Sequence, residues 1–167
     1  IKNLPFIKLT DIKNFSFNYV LISPGIDIKK CKLRNFLKNN IGKIITDLDI
    51  FYNEHPKNLK ITITGTNGKS TTALLLYKIL LKHKKNVRLV GNIGKPVLSV
   101  NKVSQETIFV IEASSYQIEY SKYFKTDFAV ILNIAPDHLE RHGNIKNYTL
   151  AKLKLITDQE KDSYSYI

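Results

Sequence analysis

The sequence predicts an α/β protein whose strands form a parallel sheet. Three observations carry this. Short apolar runs alternate with stretches of helical spacing. Gly, Pro and Asn close the runs in short turns. The polar clusters follow directly after the runs, where parallel strands present ligand sites at their carboxyl ends.

Taken in order, residues 19–23 (Y-V-L-I-S) read as a buried strand closed by Pro24-Gly25. Residues 28–39 place Leu33, Phe36 and Leu37 at helical spacing, with lysines on the other side. Residues 43–46 form a second short strand. Asp47 is the expected cap of a short helix that Pro56 ends. Residues 59–64 form the strand that enters the main glycine loop. Residues 70–82 follow as a helix, apolar nearly all round, which predicts burial on more than one side. Strands are predicted over 86–90, 107–111 and 127–132, a helix over 144–156, and the approach to another strand at the end.

Composition narrows the class. A hydrophobic content of 43% supports a packed core. No run spans a membrane, and the opening I-K-N-L-P-F-I-K-L lacks an apolar leader core and a cleavage site. The single cysteine, Cys31, forms no internal disulfide, which fits a reducing, cytoplasmic setting. The net charge of +12 comes mostly from scattered Lys rather than from a basic stretch interleaved with aromatics. Nucleic acid is therefore not the expected partner.

The richest stretch is I-T-I-T-G-T-N-G-K-S-T-T, residues 61–72. A strand, two glycines, a lysine and hydroxyls precede a helix, which is the order of a phosphate cradle. Backbone N–H groups of Gly65, Thr66, Asn67, Gly68 and Lys69 can turn around an anion, and the helix adds its positive end. Lys69 reaches outer phosphates, and Ser70 or Thr71 can ligate Mg²⁺. The usual spelling has a glycine where Ile63 stands, so this is a shortened P-loop. The plainer alternative is a glycine turn that binds nothing.

Other strand ends carry further candidates. Glu112 ends F-V-I-E and is either an oxygen ligand for Mg²⁺ or a solvated charge. Ser114, Ser115 and Gln117 contact a substrate or form a hydrogen-bonded turn. His138 either binds metal or orients a carboxylate, or is structural, the reading also given to His83 and His142. Lys152 lies in the apolar context A-K-L-K-L-I. It either snorkels or loses its charge by desolvation, and a neutral amine can add CO₂ to become an anionic carbamate.

Together these stretches resemble the Mur ligases of peptidoglycan synthesis. The matching pieces are S-P-G-I at 23–26, G-T-N-G-K-S-T at 65–71, G-N-I-G at 91–94, E-A-S-S-Y-Q-I at 112–118, N-I-A-P-D-H-L-E-R-H at 133–142 and Y-T-L-A-K-L-K at 148–154. The loop alone is shared with related ligases such as folylpolyglutamate synthetase. The E-x-S-S-[FY]-Q stretch after G-N-I-G favours the branch that adds D-glutamate.

The resemblance implies ATP-driven amide formation in the cytoplasm by a monomer. The γ-phosphate would pass to the carboxylate of UDP-N-acetylmuramoyl-L-alanine, and D-glutamate would attack the acyl phosphate. Lys69 would hold phosphates. Ser70 or Thr71 and Glu112 would hold one Mg²⁺, and His138 with carbamylated Lys152 a second. Gly25, Asn92, Ser114 and His138 match substrate contacts. The implied architecture is the end of a Rossmann-like substrate-binding domain over 1–46, followed by an incomplete P-loop ATPase-like central domain over 47–167. The start of the first domain, the end of the second and a third domain are expected to be missing, and this chain alone is expected to be inactive. The competing expectation is a stand-alone P-loop nucleotide-binding module. It has no need of Lys152, His138 and Glu112 together.

Overall fold

The structure is a computed structural model and describes residues 8, 11, 12 and 16–167. Apart from Lys8, the opening stretch inspected for a leader lies outside the described residues. Strand β1 (Val20–Leu21) pairs in parallel with β2 (Ile44–Ile45), Val20 opposite Ile44. Helix α1 (Arg34–Asn39) crosses between them. Ile22, Ile28, Leu37 and Ile44 form the small core of this part, and Cys31 packs against it. The helix expected over 28–39 is shorter because its first half is turns. Asp27 Oδ1 accepts from the Lys29 N–H at 2.9 Å, a local bond that competes with helix formation.

Helix α2 (Asp47–Glu54) begins at the residue expected to cap it. Thr46, not Asp47, holds the cap position. Asp49 reaches back to accept from the Thr46 N–H at 2.7 Å and its hydroxyl at 3.2 Å. The other oxygen of Asp49 accepts from the N–H groups of Lys122, Tyr123 and Phe124 at 2.7, 2.7 and 3.0 Å. One buried carboxylate thus satisfies two stretches of backbone.

The main sheet contains β3 (Lys60–Thr64), β4 (Val87–Gly91), β5 (Ile108–Glu112), β6 (Phe128–Ile131) and β7 (Tyr164–Tyr166). Its order is β4-β5-β3-β6-β7, and every pair is parallel. The expected final strand is β7. On one face, Phe109, Ile111 and Ala129 meet α2, α4 (Ser115–Glu119) and α6 (Ile145–Thr157) through Leu48, Phe51, Ile118 and Leu155, the short α5 (Leu139–His142) lying before α6 in the chain. On the other face, Ile63, Val87 and Val110 pack against Ala73 of α3 (Lys69–Lys82).

Helix α3 corrects an expectation. Its sequence is apolar nearly all round, yet only Ala73 is fully buried, with Leu76, Tyr77 and Leu80 packed beside it. Leu74, Leu75, Ile79 and Leu81 are 40%, 58%, 45% and 45% exposed. The helix lies on β3, β4 and β5, and a single sheet face covers only one stripe of a helix. Among the described residues no helix is long and apolar enough to cross a membrane.

Candidate functional site

The site forms where β3, β4, β5 and β6 end together. After Thr64 the chain turns at Gly65, whose φ is +154°. A Cβ there would stand 3.2 Å from Leu132 Cβ and 3.4 Å from the Asn133 backbone, so the close approach of β6 requires glycine. Asn133 then secures the loop. Its carbonyl accepts from Thr66 N–H at 3.0 Å, and its side chain accepts from Asn67 N–H at 2.9 Å and donates to Asn67 O at 3.1 Å. Of the five loop N–H groups expected to be able to turn around an anion, those of Thr66 and Asn67 bond to Asn133 here. Gly68 is the left-handed cap of α3, so the cradle ends at a helix N-terminus as expected.

Lys69 folds back over the loop, donating to Gly65 O at 2.9 Å and Thr66 O at 2.8 Å. Ser70 Oγ donates to Glu112 Oε2 at 2.8 Å. Of the two hydroxyls proposed for Mg²⁺, the structure therefore brings Ser70 to Glu112, and Thr71 is exposed on the next position of the helix. Glu112 is not a solvated strand-end charge, since it is 1% exposed. Its other oxygen accepts from Asn92 Nδ2 at 3.0 Å. Gly91 lets the backbone ends of β4 and β5 approach closely. A Cβ at Gly91 would lie 2.2 Å from Glu112 O, and φ is +106°.

The other candidates are placed as follows. Ser114 caps α4. Its Oγ accepts from Gln117 N–H at 3.3 Å and donates to Gln117 Oε1 at 3.2 Å, which is the hydrogen-bonded turn. Gly25 lies in the turn after β1, at the end of the smaller sheet. His138 has φ +51°, a left-handed conformation uncommon for a residue with a Cβ. Its Nε2 lies 3.4 Å from Asp137 Oδ2, and its Nδ1 lies 3.8 Å from Glu140 Oε1. His142, read as structural, is buried with Nε2 3.0 Å from Ser115 Oγ.

Lys152 is 1% exposed and does not snorkel. Its Nζ donates to Gly65 O at 2.8 Å and Thr64 Oγ1 at 3.3 Å, from the opposite side of the loop to Lys69. Burial, then the Lys69 charge, pushes its pKa down to about 8 against a smaller opposing pull from Asp137.

Two residues were missed in the sequence. Tyr148 donates or accepts with Thr66 Oγ1 at 3.1 Å, its ring lies 4.6 Å from Lys152 Nζ, and its centroid is 6.4 Å from that of His138. The available signal was its spacing, one helical turn before Lys152. Asn133 carried only its place after an apolar strand. The expected partners His138 and Lys152 stand beside one ring. Tyr148 neighbours both, and among the described residues no three His, Cys, Asp or Glu side chains gather as a metal site.

Fold and site together define a parallel α/β domain with a glycine–lysine loop at the carboxyl end of its central strand. A profile of the Mur ligase middle domain matches residues 63–167, and the chain belongs to the Mur ligase family. It is 40% identical over 149 residues to a UDP-N-acetylmuramoylalanine–D-glutamate ligase of Caldicellulosiruptor bescii, covering 89% of this chain and 32% of that protein. It is 42% identical over 160 residues to the same-named ligase of Rickettsia prowazekii, covering 95% and 35%. The chain thus spans about a third of the length of the curated relatives it matches. The fold is also that of MurF ligase from Thermotoga maritima in complex with ADP, with TM-score 0.54, 22% identity, and coverage of 81% of this chain and 40% of that one.

Proposed function

We propose that this chain is the ATP-handling part of a cytoplasmic ligase that adds D-glutamate to UDP-N-acetylmuramoyl-L-alanine. The observation that carries the reading is Ser70 Oγ set 2.8 Å from Glu112 Oε2 at the base of the glycine–lysine loop. A hydroxyl and a carboxylate are hard oxygen donors and suit Mg²⁺. When bound, the ion would neutralise charge on the transferring phosphoryl group. Sequence relatives named as D-glutamate ligases support the choice of substrates.

In this reading the fold is a P-loop ATPase-like central part over 47–167, preceded by the end of a Rossmann-like part over 1–46. Lys69 exchanges its bonds to the Gly65 and Thr66 carbonyls for bonds to the outer phosphates of ATP. The substrate carboxylate attacks the γ-phosphorus of ATP, ADP leaves, and the carboxyl carbon is now that of an acyl phosphate. The amine of D-glutamate then attacks that carbon, forming the amide, and phosphate leaves. Gly25, Asn92, Ser114 and His138 serve the substrate side.

Lys152 serves as a carbamate. Its neutral amine bonds the carbon of CO₂ and releases one proton, and the remaining N–H can still donate to Gly65 O. The change turns a cation into an oxygen ligand, supplying with His138 a second Mg²⁺ position that side chains of the ordinary ligand types do not fill. The test has two parts. This chain should bind ATP in a Mg²⁺-dependent way. Joined to the remaining length of a D-glutamate ligase relative, it should release phosphate only with both substrates present. ATP binding without such turnover would leave a nucleotide-binding module and sink the ligase reading.

A further inference from the structure

We propose that Tyr116 is a positioning residue for His138: its ring walls one side of the imidazole, and its hydroxyl ties down the carboxylate that the imidazole also faces. The inference rests on the ligase reading only for its consequence, not for its geometry. His138 is poorly held by burial, since its side chain is 46% exposed. Exposed side chains exchange rotamers quickly unless neighbours stop them. Any role in gripping a phosphoryl group or a metal requires its nitrogens to point in one direction.

Tyr116 supplies the restraint. Its ring centroid lies 4.9 Å from that of His138, at an interplanar angle of 47°. Its hydroxyl donates to Glu140 Oε1 at 3.4 Å, and the same oxygen lies 3.8 Å from His138 Nδ1. Glu140 alone is a weak restraint, because its side chain is 71% exposed. The tyrosine is itself well anchored. It lies in the first turn of α4, which the Ser114–Gln117 bonds cap. The ring of His142 stacks on it at 5.6 Å, and the Arg141 guanidinium lies 4.9 Å from its centroid. Arg141 in turn is held through Nε by Glu119 at 3.3 Å. The ring is therefore a fixed surface, and His138 is the movable group placed against it.

The experiment uses this chain, isotopically labelled, and reads the three-bond couplings of His138 that report its χ1 angle. The parent should give the couplings of one rotamer. Tyr116→Leu should give averaged couplings while the amide spectrum stays dispersed, and Tyr116→Phe, which keeps the ring but loses the hydroxyl tie, should fall between the two. A purely structural tyrosine would change folding without singling out His138. Averaged couplings in the parent, or unchanged ones in Tyr116→Leu, would overturn the proposal. Should Tyr116→Leu not fold, Glu140→Ala removes the shared carboxylate at the surface. Parent-like couplings in that variant overturn the hydroxyl tie. Failure of ATP binding would count against the ligase reading and leave the rotamer result standing.

Discussion

Lys69 and Lys152 donate to the same acceptor, the carbonyl oxygen of Gly65, at 2.9 and 2.8 Å. Two cations therefore meet across one peptide group, one from the start of α3 and one from the middle of α6. The first is free to leave toward an incoming phosphate, since it is only partly buried. The second is enclosed, and its charge is the one that suffers.

That enclosure predicts a pH dependence of stability. Burial, helped by the Lys69 charge, holds the Lys152 amine down at about 8, below the 10.5 of an ordinary lysine. Between those values the unfolded chain holds a proton that the folded chain does not. Stability should therefore rise with pH through this window, by an amount on the order of 3 kcal/mol. Below about pH 8 both states are protonated and this contribution is flat. Urea melts of the parent across pH 7 to 10.5 should show the rise, and Lys152→Met should lessen it, the buried Lys60 contributing in the same direction. A parent and variant with parallel profiles would show that the lysine is not desolvated.

The same shift predicts reactivity. At neutral pH roughly a tenth of such an amine is uncharged, against well under a thousandth of an ordinary lysine. Labelled bicarbonate should give a carbamate carbonyl signal in this chain by ¹³C NMR, and Lys152→Ala should remove it. If the signal persists in the variant, the carbamate lies elsewhere or is adventitious.

Much of this site was legible before any coordinates. The loop, Glu112, His138 and Lys152 lie after strands or in a helix whose patterns are local, so each could be placed at the carboxyl edge. Asn133 could not, because its contact with the loop depends on β6 lying beside β3, with β4 and β5 between them in sequence. The exposed stripe of α3 was hidden for a related reason. Composition tells how apolar a helix is, but its burial depends on which neighbours cover it. The cap of α2 failed more narrowly. Both Thr46 and Asp47 suit the position, and only the reach of Asp49 across to the 122–124 backbone decides between them.

Asp49 should accordingly matter more than its sequence position suggests. Asp49→Ala strands the N–H groups of Thr46 and Phe124 in a buried setting and those of Lys122 and Tyr123 in a partly buried one. The expected loss is about 3 kcal/mol or more, since each abandoned buried donor costs about 1 kcal/mol or more. Asp47→Ala removes a bond to Leu48 N–H and should cost about 1 kcal/mol. Denaturant midpoints at constant slope would compare them, and equal losses would refute the role given to Asp49.

Glu112 should separate binding from folding. Glu112→Gln keeps the side-chain shape beside Ser70 and Asn92, so the melting midpoint should move little. Its loss of charge should weaken Mg²⁺-dependent ATP binding by about ten-fold or more, the scale of a charge-assisted contact. Calorimetric titration with and without Mg²⁺ measures this. A variant that binds as tightly as the parent would remove Glu112 from the metal site.

The two glycines proposed for different roles make a matched pair. At Gly91 an added Cβ would lie 2.2 Å from Glu112 O, in a conformation with φ +106°. Backbone cannot yield as a side chain tip does, so Gly91→Ala must separate β4 from β5 or rotate the turn. A loss of about 3 kcal/mol is expected from strain and displaced packing together. At Gly25 nothing lies within 4 Å of an added Cβ, and Gly25→Ala should change stability by about 0.5 kcal/mol or less. Because Gly25→Ala leaves the fold alone, any loss of affinity for UDP-N-acetylmuramoyl-L-alanine in that variant reports contact at the turn itself. Unchanged affinity would place the nucleotide-sugar elsewhere. A large loss of stability would instead mean that the space around Gly25 is filled in solution.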